Sequence, residues 1–73
     1  MTQLQTLVLL YVNNYIDMYS YSPSYKEIKE NCTLSSNSHA HKIVKALILQ
    51  GELSTVSSGV RKIRRKADGK KIA

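Results

Sequence analysis

The chain contains no phenylalanine, no tryptophan, one proline and one cysteine among its 73 residues. A single cysteine, Cys32, cannot form an intramolecular disulfide, so the fold does not depend on a disulfide framework. The apolar run over residues 7–12 is far shorter than the about 20 residues that span a bilayer. The start of the chain also lacks the basic segment and cleavage site of a secretory signal peptide. We therefore expect a cytoplasmic protein with no membrane partner.

The sequence lacks the patterns that enzymes and cofactor proteins require. A 73-residue chain is too small to build a large active-site cleft, and no glycine-rich phosphate loop is present. Ser38 and His39 are chain neighbours that point to different faces of a helix, so they do not form a nucleophile–base pair. With Cys32 added, His39 and His41 still fall short of a zinc site. We expect no enzymatic activity, no cofactor, no metal site and no small-molecule substrate.

Positive charge is concentrated near the end of the chain. Residues 1–60 contain four basic and four acidic residues, whereas residues 61–73 contain seven basic residues and one acidic residue. The net charge of +6 therefore arises in the last segment. A basic cluster of this kind favours a polyanionic partner, and the alternative is a solubilising tail.

A first helix is predicted over residues 3–19, where apolar residues recur at helical spacing and Thr2 is a suitable N-cap. Leu9 and Leu10 widen its apolar surface beyond the single stripe that a surface helix needs. Two explanations remain open. The helix is a central core element that also contacts the C-terminal hairpin, or its additional surface forms a homodimer or binds another protein.

A second helix is predicted to follow Pro23. Ser24 and Glu27 have the spacing of a capping box, which marks the start of a helix. Tyr25, Ile28 and Cys32 then fall on one face. We therefore interpret Cys32 as a small buried residue rather than a reactive thiol.

A third helix is predicted over residues 36–50, with Ser35 or Ser36 as its cap and Gly51 as its stop. One face of this helix is apolar, and the opposite face carries hydrogen-bonding and basic side chains. A helix that reads a DNA groove needs one apolar face and one polar, basic face, although an ordinary solvated helix also has both. The apolar stripe is Ala40, Ile43, Val44 and Leu47, and the polar stripe is Ser38, His41, Lys42 and Lys45.

Residues 52–56 and 60–64 are predicted to form the two strands of a hairpin, joined by a three-residue loop that contains Gly59. The second strand would carry Arg61, Lys62 and Arg64. Residues 66–73 are expected to be a disordered basic tail, so that one folded domain spans residues 1–65. The predicted fold is mainly α with a small β-hairpin: a winged helix-turn-helix of three helices and a two-stranded wing.

Several short motifs occur in an order known from one family. Residues 22–28 read Ser-Pro-Ser-Tyr-Lys-Glu-Ile and residues 45–47 read Lys-Ala-Leu. Gly51 comes next, and Gly-Val-Arg follows at 59–61. This order resembles the DNA-binding domain of the LexA repressor family, which has a Pro-Thr/Ser-x-x-Glu-Ile start to its second helix, Lys-Ala-Leu in its recognition helix, and a wing closing with Gly-Ile-Arg. The resemblance covers residues 2 to 64.

The resemblance implies a stand-alone DNA-binding regulator, a repressor of the kind found in phages and mobile elements. In that family, the first two turns of the recognition helix read bases. Ser36 matches a base-reading position directly. The family's Asn becomes Ser38 and its two Glu become His41 and Lys42, so the family's operator cannot be carried over to this chain.

We expect the third helix to enter the major groove of double-stranded DNA. An alternative is a small winged-helix protein that binds and modulates another protein, and RNA binding is a third possibility. The candidate base-reading residues are Ser36, Asn37, Ser38, His39, His41 and Lys42. The candidate phosphate and wing residues are Lys26, Lys45, Arg61, Lys62, Arg64 and Arg65.

Overall fold

A computed structural model describes residues 1–56 and 61–65. The elements are α1 (Gln3–Tyr19), α2 (Tyr25–Asn31), α3 (Asn37–Leu49), β1 (Leu53–Thr55) and β2 (Ile63–Arg65). The strands pair antiparallel in a two-stranded sheet, with Leu53 opposite Arg65 and Thr55 opposite Ile63. The predicted winged helix-turn-helix architecture is confirmed. The predicted three-residue loop and the predicted disordered tail lie outside the described residues.

Each helix begins at a hydroxyl side chain that caps it. Thr2 and Gln5 form a capping box at α1, and Ser24 and Glu27 form one at α2. At α3 the side chain of Ser36 accepts the backbone N–H of His39 at 3.1 Å. These bonds satisfy backbone donors that have no partner inside the helix, which fixes where each helix starts. The predicted starts at residues 3, 24 and 36 are thereby confirmed to within one residue.

The end of α3 depends on Gly51, whose φ of +80° lies in the left-handed region. A residue with a Cβ adopts that region at a cost, whereas glycine does so freely. The backbone N–H of Gly51 donates to the carbonyl of Ile48, and that of Glu52 donates to the carbonyl of Leu47. The chain therefore leaves the helix directly into β1, as the position of the glycine predicted.

The core lies between the three helices and is closed at one side by the sheet. It is made almost entirely of aliphatic side chains, and none of the five tyrosines is buried. The predicted apolar stripe of α3 is buried, and Cys32 is 5% exposed, so its interpretation as a buried residue is confirmed. The buried hydrophobic residues are Val8, Val12, Ile16, Ile28, Cys32, Leu34, Ala40, Ile43, Val44, Leu47, Leu53 and Ile63.

The second strand differs from the prediction. It begins at Ile63 instead of residue 60, and it extends to Arg65. Arg61 lies in a bend and Lys62 precedes the strand, although the Lys62 carbonyl still accepts the N–H of Val56 at 2.9 Å. The bend has a physical cause, since the Arg61 side chain is hydrogen-bonded to α2 and to the segment before it instead of following the sheet.

The helix α1 is a central core element, which agrees with the first of the two explanations for its broad apolar surface. Val8 and Val12 are completely buried. The helix also contacts the C-terminal segment, because Asp17 pairs with Arg65 and the Tyr15 hydroxyl accepts a hydrogen bond from Arg61. Within the described part of the chain, no helix combines the length and the hydropathy of a membrane span.

Candidate nucleic-acid interface

The exposed face of α3 carries a row of polar and basic side chains. Ser38, Lys42 and Lys45 are all exposed and are three or four residues apart, so they follow one side of the helix. Leu49 continues the same row and is 80% exposed. The exposure of Leu49 could not be predicted from the sequence, because a leucine at the end of an amphipathic helix is ordinarily counted with the core.

Three of the predicted base-reading residues at the start of α3 lie in different environments. Ser36 is the N-cap, so its hydroxyl oxygen already accepts the N–H of His39. Asn37 is exposed and is the first residue of the helix. His39 is half-buried, with its Nδ1 atom 3.4 Å from the Ser35 hydroxyl. The imidazole of His39 is therefore turned towards the α2–α3 turn and away from the row of exposed residues.

The His41 ring stacks on the Tyr25 ring, with centroids 3.7 Å apart and planes 16° from parallel. This contact joins the middle of the recognition helix to the first turn of α2. It fixes the plane of the His41 imidazole, which the helical spacing predicted to lie in the polar stripe of α3. The sequence pattern placed Tyr25 on the same face as Ile28 and Cys32, whereas Tyr25 is only partly buried. Its burial nevertheless raises the pKa of the Tyr25 hydroxyl above its usual value of 10.0, so the phenol remains neutral at physiological pH.

A shallow concavity of about 300 Å³ connects α2, α3 and the sheet. Three lysines surround it, and the Lys62 Nζ lies 5.9 Å from the centroid of the Tyr25 ring. None of the described residues that line it is acidic, so a positive potential extends from α3 to the wing. The lining residues are Tyr25, His41, Lys42, Lys45, Ile48, Thr55 and Lys62.

Arg61 is engaged with the body of the protein. Its guanidinium donates to the Glu27 carboxylate at 2.7 Å, to the Ser22 carbonyl at 2.8 Å and to the Tyr15 hydroxyl at 3.1 Å. It also lies over the Tyr21 ring, 4.7 Å from the centroid. A phosphate contact from Arg61 stays a prediction, and such a contact would have to compete with these bonds.

The Glu27 carboxylate is the centre of this network. It accepts the Ser24 backbone N–H at 2.8 Å in the capping box, and it also accepts the Tyr15 hydroxyl and Arg61. These bonds, led by the one from the Ser24 backbone, lower the pKa of Glu27 from 4.5 to about 2. The pairing with Glu27 in turn raises the pKa of Arg61. Both groups are therefore charged throughout the physiological range.

The remaining basic residues of the wing face another side of the molecule. Arg65 forms an ion pair with Asp17 of α1, and Arg64 donates to the carbonyls of Arg61 and Ile63. Both arginines line a cavity beside the C-terminal end of α1 and Tyr21.

Lys26, the last of the predicted phosphate-contacting residues, is exposed on α2. The structure thus brings Lys42, Lys45 and Lys62 together with His41, and it separates them from Arg64 and Arg65.

The arrangement of three helices, a two-stranded wing and a basic face on the third helix defines a winged helix-turn-helix DNA-binding domain. The family model described as the LexA DNA binding domain matches residues 1–62, and the chain belongs to this family. The resemblance drawn from the sequence motifs is thereby confirmed. No curated protein matches the chain. Membership of this family makes the chain a DNA-binding regulator and DNA its partner.

Proposed function

We propose that the chain binds double-stranded DNA sequence-specifically in the cytoplasm and acts as a transcriptional repressor. The observation that carries the proposal is the continuous basic surface that runs from the exposed row of α3 into the concavity bordered by Lys62. Apart from Lys62, its donors and cations lie on the one helix of the fold that is expected to enter the major groove. Occupation of a promoter is sufficient to repress, and it requires no second contact with the transcription machinery.

The base contacts come from the exposed side chains of the first half of α3. Lys42 suits the O6 and N7 acceptors of guanine, and Asn37 suits the N6 and N7 edge of adenine. Ser38 and Ser36 can donate to either kind of acceptor. The His41 ring is held in plane by Tyr25, so little rotational freedom is lost when this exposed side chain meets a base. His39 is a weaker base reader in this proposal because its ring is directed towards Ser35.

The phosphate contacts come from lysines that surround the recognition helix. Lys45 lies one turn beyond the base-reading residues, and Lys62 lies at the base of the wing. Lys26 is exposed on α2, and we assign it to the phosphate backbone of the neighbouring DNA strand. These contacts position the domain and make its affinity fall as salt rises. Arg61 contributes indirectly, since it anchors the segment that carries Lys62.

The test is selection from a pool of randomised DNA duplexes at about 150 mM salt, where non-specific binding is weak. An enriched motif is the expected result, and Lys42→Ala should lose sequence preference at one or two base pairs of that motif. Lys29→Ala is the matched control, because Lys29 lies on α2 outside the basic concavity. A promoter carrying the motif should then be repressed in a reporter strain. Retention without enrichment would contradict specific recognition, and no retention would favour the rival protein-binding function.

A further inference from the structure

One face of α1 is apolar and points away from the core. Leu7, Leu10 and Met18 are 50%, 55% and 73% exposed, although Val8 and Val12 on the opposite side of the same helix are completely buried. A single exposed leucine needs no explanation, but a contiguous stripe on a monomer marks an interaction surface. We call the exposed residues Leu7, Leu10, Asn14 and Met18 the α1 stripe.

The spacing of the α1 stripe is that of a helix–helix seam. Positions 7, 10 and 14 are separated by three and then four residues, which is the alternation that keeps side chains on one line against a neighbouring helix. The stripe extends over about 16 Å at 1.5 Å per residue. Asn14 interrupts it with an amide that both donates and accepts hydrogen bonds. An asparagine in such a seam can pair with the same residue of a second copy and thereby fix the register.

The charge distribution indicates what can cover this stripe. The helix Gln3–Tyr19 contains a single charged residue, Asp17, which is paired with Arg65. A membrane-surface helix uses lysines and arginines on its polar face, and α1 has neither. Two copies of a chain with a net charge of +6 repel each other least where they meet on surfaces without basic residues. The α1 stripe provides such a surface on both copies.

We propose that the α1 stripe binds the α1 stripe of a second copy, which makes the chain a two-fold homodimer. The contact is isologous, since an uncharged apolar line with a central amide is complementary to itself. Its area is that of a few side chains on either partner, which places it among interfaces below about 1,200 Å² that associate weakly. The dimer therefore forms at micromolar to millimolar concentrations. Each copy keeps its α3 row exposed, because α1 and α3 turn their buried faces towards a shared core.

Sedimentation equilibrium over a concentration series tests the proposal without DNA. The apparent mass of the wild-type chain should rise from 8.2 kDa towards twice that value as concentration approaches the millimolar range. Leu10→Lys should weaken association at least about tenfold, because it brings two like charges into an apolar contact. Leu49→Lys is the matched control, since Leu49 is also an exposed leucine but lies on α3, and it should associate like the wild type.

Because Leu10 is exposed, its replacement should leave the circular dichroism spectrum and the thermal midpoint close to those of the wild type, so loss of folding cannot imitate loss of association. A wild-type chain that remains monomeric at millimolar concentration would overturn the proposal. A different protein would then be the favoured partner of the α1 stripe. Equal weakening by Leu10→Lys and Leu49→Lys would also overturn it, because the effect would then be one of net charge. Association through the α1 stripe does not require DNA binding, which the duplex selection tests separately.

Discussion

The guanidinium of Arg61 and the carboxylate of Glu27 lie 2.7 Å apart and join positions separated by 34 residues. The contact fastens the base of the wing to the first turn of α2. It also determines where the wing begins, since the strand starts only after the bend at Arg61. The ion pair is partly exposed, so its contribution comes mainly from hydrogen-bond geometry and from the shared partners Ser22 and Tyr15.

Replacing Arg61 should destabilise the domain through this contact. We expect Arg61→Gln to lower the midpoint of urea unfolding, whereas Lys26→Gln, an equal change of charge at an exposed site of α2, should leave it nearly unchanged. A double-mutant cycle with Glu27→Gln should yield a smaller combined loss than the two single losses added together. Strict additivity of the two losses would show that the residues do not interact in solution.

Glu27 should also make the stability depend on pH under acidic conditions. The folded-state pKa is lowered from 4.5 to about 2, so the native state favours the ionised carboxylate. The associated stabilisation is complete above the unfolded-state value and is lost as pH falls from about 4.5 towards 2. We expect the free energy of unfolding of Glu27→Gln to change less over this interval than that of the wild type. Glu30→Gln, an exposed neighbour on α2, should retain the wild-type slope.

The capping box of α2 offers a second measure of the same region. Ser24→Ala removes the hydroxyl that accepts the Glu27 backbone N–H, and we expect a loss of about 1 kcal/mol in the free energy of unfolding. Ser24→Asp keeps an acceptor at the cap and should retain most of the stability. An unchanged free energy of unfolding in Ser24→Ala would mean that the hydroxyl caps nothing in solution.

The helices could be predicted from sequence because their signals are local. Thr2, Ser24, Ser36 and Gly51 each mark a boundary through their own backbone chemistry, and the apolar stripe of α3 can be identified by its spacing alone. The start of β2 could not be predicted in this way. Nothing near Arg61 in the sequence indicates that its side chain is bound to Glu27, so the apolar and basic alternation there resembled a continuous strand.

The candidate interface was predictable only in part for the same reason. Residue types and helical spacing identified Ser38, Lys42 and Lys45 as an exposed row. The stacking of Tyr25 on His41 depends on the angle between α2 and α3, which no local pattern specifies. The division of the basic wing residues between two sides of the molecule likewise arises from the ion pair of Arg65 with Asp17.

Cys32 should be chemically inert in the folded protein. It is 5% exposed, and burial raises the pKa of its thiol, so both access and the thiolate fraction are low. We expect a thiol reagent such as Ellman's reagent to label native protein far more slowly than protein in urea. Rapid labelling that is independent of denaturant would contradict the buried position and would indicate frequent local opening of α2.

The stack between Tyr25 and His41 should influence DNA binding as well as stability. Tyr25→Leu keeps an apolar side chain beside the core but removes the aromatic partner of the imidazole. Without the ring the His41 side chain must be ordered again on DNA at a cost of about 0.5–1.5 kcal/mol, so we expect affinity for the selected duplex to fall about two- to tenfold. Tyr25→Phe retains the ring and should bind like the wild type. A uniform loss in both variants would mean that the hydroxyl, and not the ring, is what matters.

Salt titration should separate the two kinds of lysine contact. Lys45→Ala should weaken binding to all duplexes alike and reduce the log–log salt slope by about 1. Lys29→Ala should leave the slope unchanged because Lys29 is outside the basic concavity. An unaltered slope in Lys45→Ala would remove this residue from the set of phosphate contacts.

The near absence of charge on α1 has a kinetic consequence when it is combined with the lysines on the opposite side of the core. A molecule whose positive charge is displaced to one side has an electric dipole moment. In the field of a polyanion it experiences a torque as well as an attraction, so it rotates during its approach. We expect a larger share of its encounters with DNA to begin with α3 in front than random collision would give, and added salt to shorten the distance over which this alignment takes place.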